Sequence, residues 1–278
     1  MNHELRQHQA LLVCPKRWEA RAQIVDSFAF CEQPARTEER AGNWYEEEDI
    51  YGEPLPAPTT EDGVAVIPIR GVITCGLPKI YRAFGYADCD QIKGWLRAAI
   101  ADEKVSGIVL DVDSPGGTIG GVMELAQAIE ELQRASGKKI VTYTRGQCCS
   151  AAYWITAGSY AILASPSADV GSIGVYLAMY DQSKRFEIAG YRVEIIKAGS
   201  LKAIGVPGTT LTDAQREHLQ EGVDEIYGAF TAHVSAHRAS VSPDAMQGQA
   251  FSAARALEAG LIDDITDDME DVKALAKR

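Results

Sequence analysis

Regular patterning of apolar and polar positions begins at residue 63. The stretch "GVAVIPIRGVI" (63–73) alternates and is rich in β-branched residues, which predicts a strand, a turn near Pro68 and more strand. "DQIKGWLRAAIADE" (90–103) sets Ile92, Trp95, Leu96 and Ile100 on one helical face. "VSGIVLDV" (105–112) is a continuous apolar run of the kind buried on both faces of a parallel sheet. A helix over 120–137 ends at Gly137, where a left-handed closing residue suits glycine. A strand over 138–144, a short helix in "SAAYWITAG" and a strand over 160–165 follow. Residues 179–190 then read as helix and 191–199 as strand. A long helix over 212–239 opens on Thr212 with Gln215 three residues on, a capping-box pattern, and a last helix spans 252–260.

Strands alternating with crossover helices define an α/β fold with a largely parallel sheet. Residues 31–62 differ: rich in Glu and Pro and without sustained periodicity, they read as an extended arm ordered against a partner. The expected organisation is an N-terminal segment and acidic arm (1–62), one folded domain (63–267) and a short tail (268–278).

The formal charge of −12 argues against nucleic acid or an anionic membrane as partner. The start carries only the apolar run "ALLV", shorter than the roughly 7–15 residues of a signal peptide. No stretch approaches the ~20 residues that span a bilayer, so the expected location is cytoplasmic. None of the six cysteines forms a Cys-x-x-Cys pair, and reduced thiols packed as small hydrophobes are expected. No metal or cofactor is expected.

In parallel sheets, chemistry gathers in loops after the carboxyl ends of strands. Two such loops stand out. In "DVDSPGGT" (111–118) a buried strand meets paired glycines before a helix; this is either a tight turn or one half of an oxyanion hole. In "TRGQCCSAAYWITAG" (144–158), Cys148, Cys149 and Ser150 crowd the point where a strand runs into a helix. Ser150 there is either an ordinary N-cap or a nucleophile, with the N–H of Ala151 as a second oxyanion donor beside Gly116 or Gly117.

A serine nucleophile needs a base. His3 and His8 lie in the N-terminal segment, and His218, His233 and His237 on the long helix. His233 is followed by Val234, so the His-Glu-x-x-His pattern is absent, and these histidines read as structural or surface groups. A lysine serves as base once burial lowers its pKa toward neutrality, and "IIKAGSLKAIGVPG" offers Lys197 and Lys202, each of which also reads as a surface lysine.

From about residue 63 to 267 the chain resembles the signal peptide peptidase A family of serine–lysine endopeptidases. The resemblance lies in "GIVLDVDSPGG", "SAAYWITAGSYAILASPSADVGSIGV", "KAGSLKAIG" and "AFSAARALEAGLIDDI", in family order. It implies Ser150 as nucleophile, Lys202 as general base, an oxyanion hole from the Gly116/Gly117 turn and Ala151, and Ser172 as a hydroxyl orienting the lysine. It also implies the spiral of strand–strand–helix units shared with Clp protease subunits and crotonases. Two departures stand out: Cys148 and Cys149 replace the usual small residues before the serine, and an Arg common near Gln249–Ala250 is absent.

With no transmembrane stretch, the chain looks most like the phage capsid-assembly (prohead) protease branch, which cuts scaffold and portal proteins in the host cytoplasm or procapsid. A homo-oligomeric ring is expected, with "ALLVCPKRWEARAQIVDSF" as a docking element. The alternatives are a soluble housekeeping peptidase, a crotonase-fold acyl-CoA enzyme, and an inactive assembly protein.

Overall fold

A computed structural model describes residues 11–13, 57–76, 78 and 80–277. Most of the expected acidic arm and the candidate docking element after Val13 lie outside the described residues.

The main sheet is built on β3 (Val64–Arg70), β6 (Gly107–Ser114) and β8 (Lys139–Cys149), all parallel. β2 (Thr59–Glu61) pairs antiparallel with the outer edge of β3. β8 is long enough to serve two neighbours. Its first half pairs with β9 (Ala161–Ala164) and its last residues with β10 (Asp169–Gly171), both parallel. β11 (Ala250–Ser252) runs antiparallel to β10, and β12 (Asp264–Ile265) parallel to β9.

A second sheet has the order β1 (Leu11–Val13), β7 (Gly116–Thr118), β4 (Val72–Thr74), β5 (Tyr86–Asp88). The chain therefore steps from one sheet to the other and then into a helix, twice. β3 and β4 lead through the short α1 (Ile80–Ala83) and β5 to α2 (Cys89–Ala101); β6 and β7 lead to α3 (Val122–Ser136). This is the strand–strand–helix repeat of the expected spiral, with a mostly parallel sheet.

Each element follows from its sequence. Asp88 caps α2 by accepting from the Asp90 and Gln91 N–H groups, and Gly137 closes α3 at φ +70°. The first half of β6 is apolar because both its faces are covered. Ile108, Leu110 and Val112 pack in the main core with Ile67, Ile69 and Trp154. Val109 packs on the other face with Val141, Tyr143 and Val272. Burying each such aliphatic side chain contributes about 1.5–3 kcal/mol. Val272 belongs to α8 (Met269–Lys277), so residues 268–278, expected as a tail, hold a helix packed on β6 and β8.

Three expectations are corrected. β3 runs straight through Pro68, and the chain turns at Gly71 instead, at φ +76°. The helix expected over 179–190 forms only as α5 (Ser183–Ile188). No strand forms over 191–199: these residues pair with no strand among the described residues, and Tyr191, Ile195 and Ile196 stand exposed. By contrast, α6 (Asp213–His237) carries the full Thr212–Gln215 capping box, and α4 (Ala151–Thr156) and α7 (Ala253–Glu258) form where expected. Among the described residues, no helix is long and apolar enough to cross a membrane.

Candidate active site

Ser150 occupies the N-cap position of α4, yet its hydroxyl caps nothing. The residue is buried, at φ +56° and ψ −121°, a conformation that L side chains rarely adopt. The strain is held from both sides. Its N–H donates to the Gly171 carbonyl at 2.7 Å, and its carbonyl accepts from Trp154 at 2.9 Å to start the helix. Ser150 is thus a strained serine on a strand-to-helix turn whose hydroxyl is not spent on capping the helix.

The Gly116–Gly117 end of β7 packs against α4, the helix that Ser150 opens, and one irregularity precedes both. β6 and β8 keep register from Gly107 opposite Lys139 to Val112 opposite Thr144, then shift so that Ser114 stands opposite Cys148. The extra length on β8 is held by Asp113, whose carboxylate accepts the Gln147 N–H at 3.0 Å. The Ser114 hydroxyl donates to the Gly71 carbonyl at 2.6 Å and accepts the Gly116 N–H at 3.2 Å, fixing the turn that follows. Gly116 needs its glycine for φ +100°. Gly117 needs it because a Cβ would collide with the Ile73 backbone across the β4–β7 pair.

The neighbouring cysteines are packing. Cys148 is fully buried with its thiol 3.3 Å from Thr156 Oγ1, and burial pushes its pKa up to about 12. Cys149 is buried as well and points Sγ at the Asp169 carbonyl, 3.6 Å away.

Ser172 follows the Gly171 that holds Ser150. It is itself buried, at φ +53°, and its N–H donates to the Gln249 carbonyl. Ser150, Ala151, Gly116, Gly117 and Ser172 are thus tied to one corner of the two sheets. Lys202 is not brought to them. Its side chain is exposed in the loop after Gly199, and no hydrogen bond joins it to Ser150 among the described residues. Lys197 braces that loop, donating to the Ser200 and Lys202 carbonyls at 2.6 and 3.3 Å.

One group among the described residues could hold a metal ion. Glu130, His233 and His237 bring ligand atoms within 4.8 Å of one another, with Glu130 Oε1 3.4 Å from His233 Nδ1 and 2.9 Å from His237 Nε2. Burial lowers the His233 pKa, which favours the neutral imidazole. The trio staples α3 to α6.

Sequence reasoning misses Arg238. It is buried at the end of α6, where Nε donates to the Ala157 carbonyl (3.1 Å) and Nη1 pairs with Asp263 (2.6 Å). Asp263 also accepts the Ile162 N–H at 2.7 Å, so this pair ties α6 and the chain after α4 to β9. Only the "LIDDI" segment hints at it.

The sequence profile of Peptidase family S49 matches residues 132–278, more than half of the chain and the part that contains Ser150, Ser172 and Lys202. The chain belongs to Peptidase family S49. This S49 chain is 28% identical over 216 residues to the capsid assembly protease C of Escherichia phage lambda, covering 77% of the chain and 49% of the phage protein. It is 28% identical over 218 residues to the head–tail preconnector protein GP5 of Enterobacteria phage P21, covering 77% and 43%. It is 29% identical over 230 residues to protease 4 of Salmonella typhi, covering 81% and 36%. The S49 chain spans about half the length of the curated relatives it matches. Among solved structures it is similar to a membrane-bound stomatin-specific protease, with TM-score 0.45 and 15% identity over 77% of this chain and 84% of the other.

Proposed function

We propose that this S49 chain is a serine endopeptidase with a Ser150–Lys202 dyad, working as a homo-oligomeric ring on scaffold or portal proteins of a phage head, in host cytoplasm or procapsid. The observation that carries the reading is Ser150 itself: buried, strained at φ +56°, uncapping, and set beside a glycine turn.

In this reading Ser150 Oγ attacks the scissile carbonyl carbon as its proton passes to the neutral Lys202 amine. The developing oxyanion is met by the backbone N–H donors of Gly117 and Ala151, each typically worth on the order of 10²–10³ in rate, while the Gly116 N–H stays on Ser114 and shapes the turn. The protonated lysine gives its proton to the leaving amine, and water then hydrolyses the acyl-serine. Ser172 holds the lysine amine in place.

The single chain leaves Lys202 exposed, and a base lysine must be desolvated to be neutral near pH 7. The flanking segment explains how. Tyr180, Ile188, Tyr191 and Ile196 are 89%, 88%, 69% and 101% exposed, an apolar surface of the kind that marks a protein interface. Docking this segment onto a second copy buries the loop and brings a lysine to a serine. The likeness to two phage head proteins over three quarters of the chain supports a capsid substrate.

The test is proteolysis of purified scaffold and portal proteins by wild type, Ser150→Ala and Lys202→Met. Cleavage by wild type alone is expected; equal cleavage by Ser150→Ala would overturn the assignment.

A further inference from the structure

The small sheet ends in a strand drawn from the far N-terminus of the chain. β1 lies antiparallel along the outer edge of β7, with Leu11 opposite Thr118, Leu12 opposite Gly117 and Val13 opposite Gly116. The other edge of β7 is taken by β4, which meets it at Gly117. β1 therefore occupies the one side from which an extended peptide can add to this strand.

The edge is suited to a main-chain ligand. Gly116 and Gly117 present backbone with no side chains between it and an incoming strand, and Ser114 holds the turn in shape through its hydroxyl. Strand addition of this kind draws affinity from main-chain hydrogen bonds and specificity from alternate side chains. The polarity is informative too. The chain advances from Thr118 towards Gly116, so its carboxyl-directed end, Val13, is the one beside the turn that neighbours Ser150. An extended substrate delivering its scissile carbonyl to that turn would lie in the same sense.

We propose that the outer edge of β7 is a peptide-binding site for extended aliphatic segments, and that Leu11–Val13 occupies it in cis as the chain's own pseudosubstrate. The catalytic consequence rests on the peptidase reading above; the occupancy does not. The segment fits: "ALLV" is the only uncharged aliphatic run before residue 63 with three branched residues in succession. It is joined to the next described residue, Ala57, through residues 14–56. Tethering over that length gives a modest effective concentration, since closure entropy grows only slowly with loop length and effective concentration falls as the linker lengthens. The cis ligand therefore yields to a better peptide in trans, and the site is self-shielded without being blocked.

The test measures binding, so that turnover plays no part. A fluorescent peptide spanning residues 8–15 is titrated, by anisotropy, into full-length Ser150→Ala and into the same chain carrying Leu11→Pro and Leu12→Pro. Successive N–H groups of a strand point to opposite sides, so one of the two prolines must remove a donor to β7. Affinity for the peptide should rise at least threefold in the proline variant, and a peptide N-methylated at Leu11, Leu12 and Val13 should not bind either protein. A variant lacking residues 1–14 gives a second measure and should match the proline variant. Equal affinity of all three proteins, or undiminished binding of the N-methylated peptide, would overturn the proposal. Tight binding by a chain whose wild type cleaves nothing would instead leave the site standing and sink the peptidase reading.

Discussion

Ser114 and Cys148 stand opposite each other across the parallel β6–β8 pair, each two residues ahead of a group in the proposed site: Gly116 after one strand, Ser150 after the other. The alignment exists only because the register shifts after Val112. An unshifted pair would put Gly146 opposite Ser114 and carry Ser150 two residues further past the glycine turn. The Ser114 hydroxyl, bonded to Gly71 and Gly116, then sets the turn's shape. Ser114→Ala should lower kcat/KM about tenfold and stability by roughly 1–2 kcal/mol, as expected for a buried hydroxyl whose loss takes a donor from the Gly71 carbonyl and an acceptor from the Gly116 N–H. Peptide cleavage and urea unfolding measure the two; unchanged kcat/KM would show that the turn needs no such brace.

The thiols beside Ser150 should be chemically quiet. Burial holds Cys148 protonated with a pKa of about 12, against ~8.5 in the unfolded chain. In the native protein at pH 8, iodoacetamide should leave Cys148 unmodified while alkylating it after unfolding. The linkage has a definite sign. A thiol pKa raised on folding contributes stability in full below pH ~8.5, and that contribution is lost as pH rises toward 12. Cys148→Ala should therefore flatten the alkaline fall in stability. Cys149→Ala should keep most of the peptidase activity; its loss would hand the nucleophile's role to sulfur.

Ile196 is fully exposed beside the Lys202 loop, so Ile196→Asp should leave the monomer's fold intact. Oligomer mass by light scattering and peptidase activity should fall together in this variant. An active monomer would remove the argument that a second copy desolvates Lys202.

Arg238 supplies the donors for Asp263 and for the Ala157 carbonyl from a buried position. Arg238→Met keeps much of the apolar stem and removes every donor. With Asp263 partly open to water, the expected loss is on the order of 2–3 kcal/mol, read as a lower urea midpoint. A shift below ~0.5 kcal/mol would show that water replaces the guanidinium.

The long periodic segments are legible in the amino-acid pattern alone. β6, α2, α3 and α6 form where apolar period and capping residues place them: β6, α2 and α3 bury their apolar positions, and α6 buries Phe230 and Val234 near its end. The glycine turn and Ser150 are legible as loops at strand ends. What cannot be read has physical reasons. β10 and β11 are three residues each, too short for periodicity, and exist only because Asp169–Gly171 finds the end of β8. The register shift is a relation between two strands, invisible in either alone. Residues 191–199 alternate well enough for a strand but pair with no edge among the described residues, so pattern alone misleads. Lys202 is marked by its sequence context, while the exposure of its side chain is not legible there.

The central claim is that Ser150 is the nucleophile of a lysine-assisted peptidase, and intact-mass spectrometry of substrate digests tests it most directly. Wild type, Ser150→Ala, Lys202→Met and Cys149→Ala are each incubated with the same scaffold or portal protein, with circular dichroism confirming that all four are folded. Discrete cleavage products are predicted for wild type and Cys149→Ala and none for the other two. The same products from folded Ser150→Ala would contradict the account.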